Sequence, residues 1–153
     1  MALDIGTART GIAITDALLM TAQPVAAIEH KTLKELFLEI KSLIQNNNIC
    51  RIIVGFPKEL DGSLGDKARQ ITKLCRRLQA FLKDELPTNP NIEIILWDER
   101  FTTDQAEKVV IGTKLKNKDK SAALDKVSAA IILDSYLNSI SGTCRPAVSD
   151  GNK

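Results

Sequence analysis

Met1-Ala2-Leu3-Asp4-Ile5-Gly6-Thr7-Ala8-Arg9-Thr10-Gly11-Ile12-Ala13-Ile14-Thr15 opens the chain, and its pattern predicts an antiparallel hairpin. A short strand covers Met1 to Ile5, a turn covers Gly6 to Thr10, and an alternating strand runs from Gly11 to Thr15. Asp4 breaks the apolar first strand. An ionised carboxylate in a core-like segment is costly unless it is hydrogen-bonded, paired or bound to a metal.

The segments beyond the hairpin set the rest of the fold. Val25 to Ile28 reads as a third strand. Thr32 with Glu35 forms a capping box, and Leu33, Leu36, Phe37, Ile40, Leu43 and Ile44 then recur at helical spacing to about Asn46 to Asn48. Arg51 to Phe56 is a β-branched run stopped by Pro57, as in a strand buried on both faces of a mostly parallel sheet. A loop from Lys58 to Gly65 leads to a helix from Asp66 to Leu86, with Ile71, Leu74, Cys75, Leu78 and Leu82 on one face. Ile92 to Trp97 reads as a second buried strand, and Thr102 with Gln105 starts another helix. A lysine-rich loop, Lys114 to Lys120, precedes a final helix from Ser121 to about Ile140. This order predicts an α/β domain over residues 1–140, a mixed sheet of about five strands flanked by helices, with a disordered tail over 141–153.

Composition narrows the setting. A chain of 153 residues with 44% hydrophobic content suits one domain with one sizeable core. No apolar run is long enough to span a bilayer, and the N-terminus lacks a signal-peptide pattern, so a soluble, cytoplasmic protein with no membrane partner is expected. Cys50, Cys75 and Cys144 are odd in number and widely spaced, which suggests neither a disulfide framework nor a zinc site. The net charge of +2 does not by itself announce a nucleic-acid partner.

Acids recur where the core pattern disfavours them. Besides Asp4, Asp98 and Glu99 end the apolar strand Ile92 to Trp97, and Asp125 lies inside the apolar start of the final helix. Each has an ordinary alternative: Asp4 can stabilise its turn, Asp98 or Glu99 can pair with Arg100, and Asp125 can sit in a helix first turn, where negative charge is favoured. Together, if the strand ends meet, their oxygens suit two Mg²⁺ ions about 3.5 to 4 Å apart acting on a phosphodiester. On the helix over Asp66 to Leu86, Arg69, Lys73, Arg76 and Lys83 form a basic stripe, read as a solvated face. Lys114, Lys116, Lys118 and Lys120 crowd the loop leading to Asp125 and are the better candidates for phosphate contact. Aromatic residues make up 4% of the chain, which gives no base-stacking platform. His30 is assigned a surface or turn role.

Four blocks resemble the YqgF or RuvX-like family of pre-16S ribosomal RNA nucleases and Holliday-junction-resolvase homologues. They are Leu3-Asp4-Ile5-Gly6 with Arg9 and Gly11, Val54-Gly55-Phe56-Pro57 with Asp61-Gly62, Trp97-Asp98-Glu99-Arg100-Phe101-Thr102-Thr103, and Asp125 with Ala129-Ala130 and Leu133. The resemblance implies a ribonuclease H-like fold, a hydrolase active in ribosome biogenesis through maturation of the 16S 5′ end, and a divalent cofactor, Mg²⁺ or Mn²⁺. It implies Asp4, Glu99 and Asp125 as catalytic, metal-binding carboxylates, with Asp98 next in line. It also puts Arg9, Lys58 within the Pro57 to Gly62 loop, and Arg100 near the substrate. Precursor rRNA or branched DNA is the implied partner of a monomer or weak homodimer. The products expected are a 5′-phosphate and a 3′-hydroxyl, formed without a covalent enzyme nucleophile.

Two other classes compete. Asp4-Ile5-Gly6-Thr7 also resembles the first phosphate-binding motif of the actin, hexokinase and heat-shock-chaperone superfamily, but that architecture closes two domains on ATP and this chain supplies one. A non-catalytic RNA- or ribosome-binding protein on the same fold is disfavoured, since it leaves the embedded acids without a role.

Overall fold

The computed structural model describes residues 1–57, 65–87, 92–98 and 117–142, with the side chains of the last segment described over 124–140. Five strands form one mixed sheet. In chain order they are β1 (Ala2–Ile5), β2 (Arg9–Thr15), β3 (Ala22–Glu29), β4 (Arg51–Phe56) and β5 (Glu93–Asp98), and the helices are α1 (Leu33–Asn47), α2 (Asp66–Glu85) and α3 (Asn117–Gly142). Across the sheet the order is β3-β2-β1-β4-β5. The β1–β2 and β2–β3 pairs are antiparallel, whereas β1–β4 and β4–β5 are parallel.

Alternation of side chains divides the core in two. On one face Leu3, Ile12, Ile52 and Val54 pack beneath Leu36, Ile40 and Ile44 of α1 and Ile71, Leu78 and Leu82 of α2. On the other, Ala2, Ala13 and Ile53 meet Ala129, Ile132, Leu133, Tyr136 and Leu137 of α3. The capping box of α1 forms as expected: Thr32 accepts from the Glu35 amide, and the Glu35 side chain accepts from the Thr32 amide. Asn48 closes the helix in the left-handed conformation, with φ 51°, which asparagine tolerates.

Three expectations are revised. The third strand is longer than Val25 to Ile28, reaching from Ala22 through Pro24 to Glu29. Proline is accepted there because β3 is an edge strand, and the ladder register shifts between Ile12 and Ala13 beside it. The strand expected to be buried, β5, is half-exposed; it lies at the opposite edge, with β4 as its one neighbour among the described strands. Helix α3 begins at Asn117 rather than Ser121 and ends at Gly142. The backbone at Lys118 and Lys120 is therefore helical, not loop. The helix expected from Thr102, Lys114 and Lys116 of the lysine-rich loop, and residues 143–153 lie outside the described residues. No described helix is long and apolar enough to cross a membrane.

Candidate active site

Asp4 stands on the central strand β1, directly across the ladder from Gly11 of β2. Strand alternation places it on the face of Ala2 and Ala13, which α3 covers. These neighbours are small, so the helix settles close to the sheet. At Gly11 the approach is closest: a Cβ there would run into the backbone carbonyl oxygen of Asp125 and stand 3.2 Å from the Asp125 Cα. Only glycine leaves that space. The absent side chain thus lets α3 press Asp125 against the rung of the ladder that carries Asp4.

Arg9, at the start of β2, approaches the same acid, its Nε 3.1 Å from Asp125 Oδ2. The contact is a charge pair without an N–H aimed at the oxygen. Oδ2 is buried and accepts no hydrogen bond among the described residues, which leaves a strong acceptor unsatisfied. Burial pushes the Asp4 carboxyl above the ordinary carboxylate range; the Lys67 ammonium opposes this, the Asp125 charge reinforces it, and a hydrogen bond with Ser128 opposes it again. A carboxyl held above its ordinary range beside a second acid with a buried oxygen that accepts no hydrogen bond among the described residues fits a hard divalent cation. Their donors are all oxygen, the set such ions take.

The remaining residues named from sequence separate into three groups. Asp98 ends β5 level with Phe56 of β4, and alternation puts it on the α1 and α2 face, opposite Asp4. Glu99, Arg100 and Lys58 lie outside the described residues, as do Lys114 and Lys116. Lys118 and Lys120 fall in the first turns of α3. Among the described residues no group of three or more His, Cys, Asp or Glu is assembled, so Asp4 and Asp125 are the described part of the site. His30, expected in a surface or turn role, is half-buried just after β3, its Nε2 lying 3.1 Å from the hydroxyl of the buried Thr10.

Sequence reasoning passed over two contributors. Ser128 follows Asp125 by three residues, a spacing that puts both on one helix face and is readable in principle. Lys67 carries no such signal, because its proximity to Asp4 depends on how α2 lies across the strand ends.

Comparison with known proteins identifies the family. The RuvX family model, described as Holliday junction resolvase, matches residues 1–139. Proteins named "Putative pre-16S rRNA nuclease" align along nearly the full length. The one from Halothermothrix orenii is 43% identical over 138 residues, covering 90% of this chain and 93% of its own. That from Caldicellulosiruptor bescii is 37% identical over 145 residues, covering 94% and 98%. Among solved structures, RuvC of T. thermophilus in complex with a Holliday junction substrate superposes with a TM-score of 0.56 at 12% identity, covering 94% of this chain and 96% of that one. At that identity the likeness is one of fold, the resolvase form of the ribonuclease H-like architecture.

Proposed function

The chain belongs to the RuvX family, and from that membership and the pairing of Asp4 with Asp125 we propose a metal-dependent nuclease that hydrolyses phosphodiester bonds in the 5′-end maturation of precursor 16S rRNA. The observation that carries the site is the packing of Asp125 against Gly11, the ladder partner of Asp4. A protein without this chemistry gains nothing from holding two acids where burial raises one of them.

Asp4, Asp125 and Glu99 would hold Mg²⁺ or Mn²⁺, with Asp98, the sequence neighbour of Glu99, next in line. When bound, the metal supplies Lewis-acid polarisation of the phosphodiester and lowers the pKa of water. The chain's own groups set the stage for it. Ser128 donates to Asp4 and fixes its orientation, Lys67 favours its charged form, and Arg9 holds Asp125 in place by charge. Lys58, Arg100, Lys114, Lys116, Lys118 and Lys120 contact the backbone of the substrate. The catalytic domain spans residues 1–140, with 141–153 as a tail, and works in the cytoplasm as a monomer or weak homodimer.

Cleavage of branched DNA is the second reading, favoured by the description of the family itself. One experiment separates the two. Labelled precursor 16S rRNA, unstructured RNA and a four-way DNA junction are each incubated with protein in Mg²⁺, Mn²⁺ or EDTA, beside the Asp4→Asn and Asp125→Asn variants. Metal-dependent cutting of precursor RNA that both variants lose supports the nuclease and its site. Cutting of the junction alone moves the assignment to a resolvase. If nothing is cut while RNA is bound equally by all three proteins, a binding module replaces both.

A further inference from the structure

A groove of about 410 Å³ begins at the turn after β1, at Gly6 and Thr7, and runs along α2. Its rim carries Lys67, Lys73 and Arg77, all exposed, and apolar surface from Ile71 and Leu74 lines it. The stripe legible in the sequence of α2 is Arg69, Lys73, Arg76 and Lys83. Turned at 100° per residue, Lys67 borders the buried face at about 40° from Ile71, while Arg77 and Lys73 lie on the same side at about 120° and 160°, where Lys73 adjoins the outer stripe. The three groove cations span ten residues, about 15 Å of helix at 1.5 Å per residue.

Asp66 stands 3.8 Å from Arg69 and Glu85 is bound to Lys41 at 2.7 Å, and among the described residues no carboxylate forms an ion pair with Lys67, Lys73 or Arg77. Cations of one sign along a cleft with low-dielectric walls focus an attractive field for an anion. At one end the groove is lined by Gly6 and Thr7, in the turn that follows Asp4 and Ile5 in the chain, and by Lys67, whose charge also acts on Asp4. A linear polyanion is the occupant that such a row fits, since successive cations meet successive charges.

We propose that this groove is the track for the phosphodiester backbone of the substrate strand, with Lys73 and Arg77 holding phosphates on one side of the scissile bond and Lys67 joining the track to the acids. The inference takes the ligand's identity from the nuclease reading, and its test uses binding without cleavage so that the two stand or fall separately.

The probe is a short, unstructured, fluorescently labelled RNA, with the same sequence in DNA, titrated by anisotropy in EDTA across 50 to 200 mM salt. Each contacted phosphate on a single strand contributes about 0.7 to the slope of log K against log salt. Lys73→Ala/Arg77→Ala is therefore expected to flatten the slope by about 1.4 and to weaken low-salt binding by roughly fivefold or more. Arg76→Ala/Lys83→Ala removes the same charge from the outer face of the same helix and is expected to leave the slope unchanged. All four side chains are exposed, and circular dichroism checks that the helix is retained. Equal flattening in both double variants, an unchanged slope in the groove variant, or no salt-sensitive binding by the wild type overturns the track. Loss confined to the groove variant in a protein that cuts nothing retains the track and removes the nuclease.

Discussion

At Asp4 the fold keeps a carboxyl where burial, and then the charge of Asp125, disfavours its ionisation. A carboxyl whose folded-state pKa is raised binds more protons folded than unfolded between the ordinary value of 3.8 and the raised one. Stability therefore falls as pH rises through that window, and at neutral pH the ionised Asp4 is a net cost to the metal-free protein. Asp4→Asn removes the charge and keeps the shape, so the metal-free variant is expected to be more stable by about 1 kcal/mol, seen as a rise in Tm of roughly 2 to 4 °C at pH 7. The gain should shrink as pH falls through the raised range of Asp4, where the wild-type carboxyl takes up its proton; a variant less stable than wild type at pH 7 rejects this account. Activity is expected to go the other way. Asp4→Asn and Asp125→Asn should each cut metal-dependent cleavage by about 100-fold or more, measured by single-turnover gel assay, because each removes a charged oxygen aimed at the reacting centre.

The elements place these residues, and Gly11 is where placement is most exposed to a single change. A methyl group there meets the Asp125 backbone, so Gly11→Ala must lift α3 from the sheet or shift β2. Overpacking of this kind costs about 1 to 3 kcal/mol, and separation of Asp125 from Asp4 adds a loss of cleavage beyond what stability explains. Thr32→Ala is the contrasting case. It breaks the capping box of α1 and is expected to cost about 1 kcal/mol in urea unfolding, with cleavage at temperatures below unfolding unchanged, since α1 packs on the face opposite the acids. The same two elements show what was legible. Thr32 and Glu35 announce α1 because a cap is a local code, and the acids of β1 and α3 stand out against apolar neighbours. That Asp98 falls on the far face, that β5 is an edge, and that Lys67 reaches Asp4 depend on strand order and helix placement, which no short stretch of sequence encodes. The start of α3 is four residues earlier than expected for a related reason: Asn117 to Lys120 read as a polar loop, yet their backbone continues a helix whose later turns are anchored in the core.

Taken as a whole, the molecule carries an apolar core on each face of its sheet. Among the described residues, one is an apolar core under α1 and α2, and the other lies under α3 on the face of the sheet that also carries Asp4. Metal bound between Asp4 and Asp125 should therefore act on folding through the α3 face, relieving the cost at Asp4 and adding to the Arg9 charge a second partner for Asp125 Oδ2, which accepts no hydrogen bond among the described residues. A ligand that binds only the folded state stabilises by about 2.7 kcal/mol at a hundred times its Kd, so Mn²⁺ or Mg²⁺ is expected to raise the Tm of the wild type in a concentration-dependent manner. Because the acids must be deprotonated to bind, the shift should grow with pH through the raised range of Asp4. Asp4→Asn is expected to start from the higher metal-free Tm and gain little, while Thr32→Ala, destabilised but with its acids intact, should gain as much as wild type. Differential scanning fluorimetry of the three proteins in EDTA and in metal tests this directly. A metal-induced rise of equal size in Asp4→Asn would place the ion elsewhere on the chain, and with it the link between the cost at Asp4 and the chemistry would be lost.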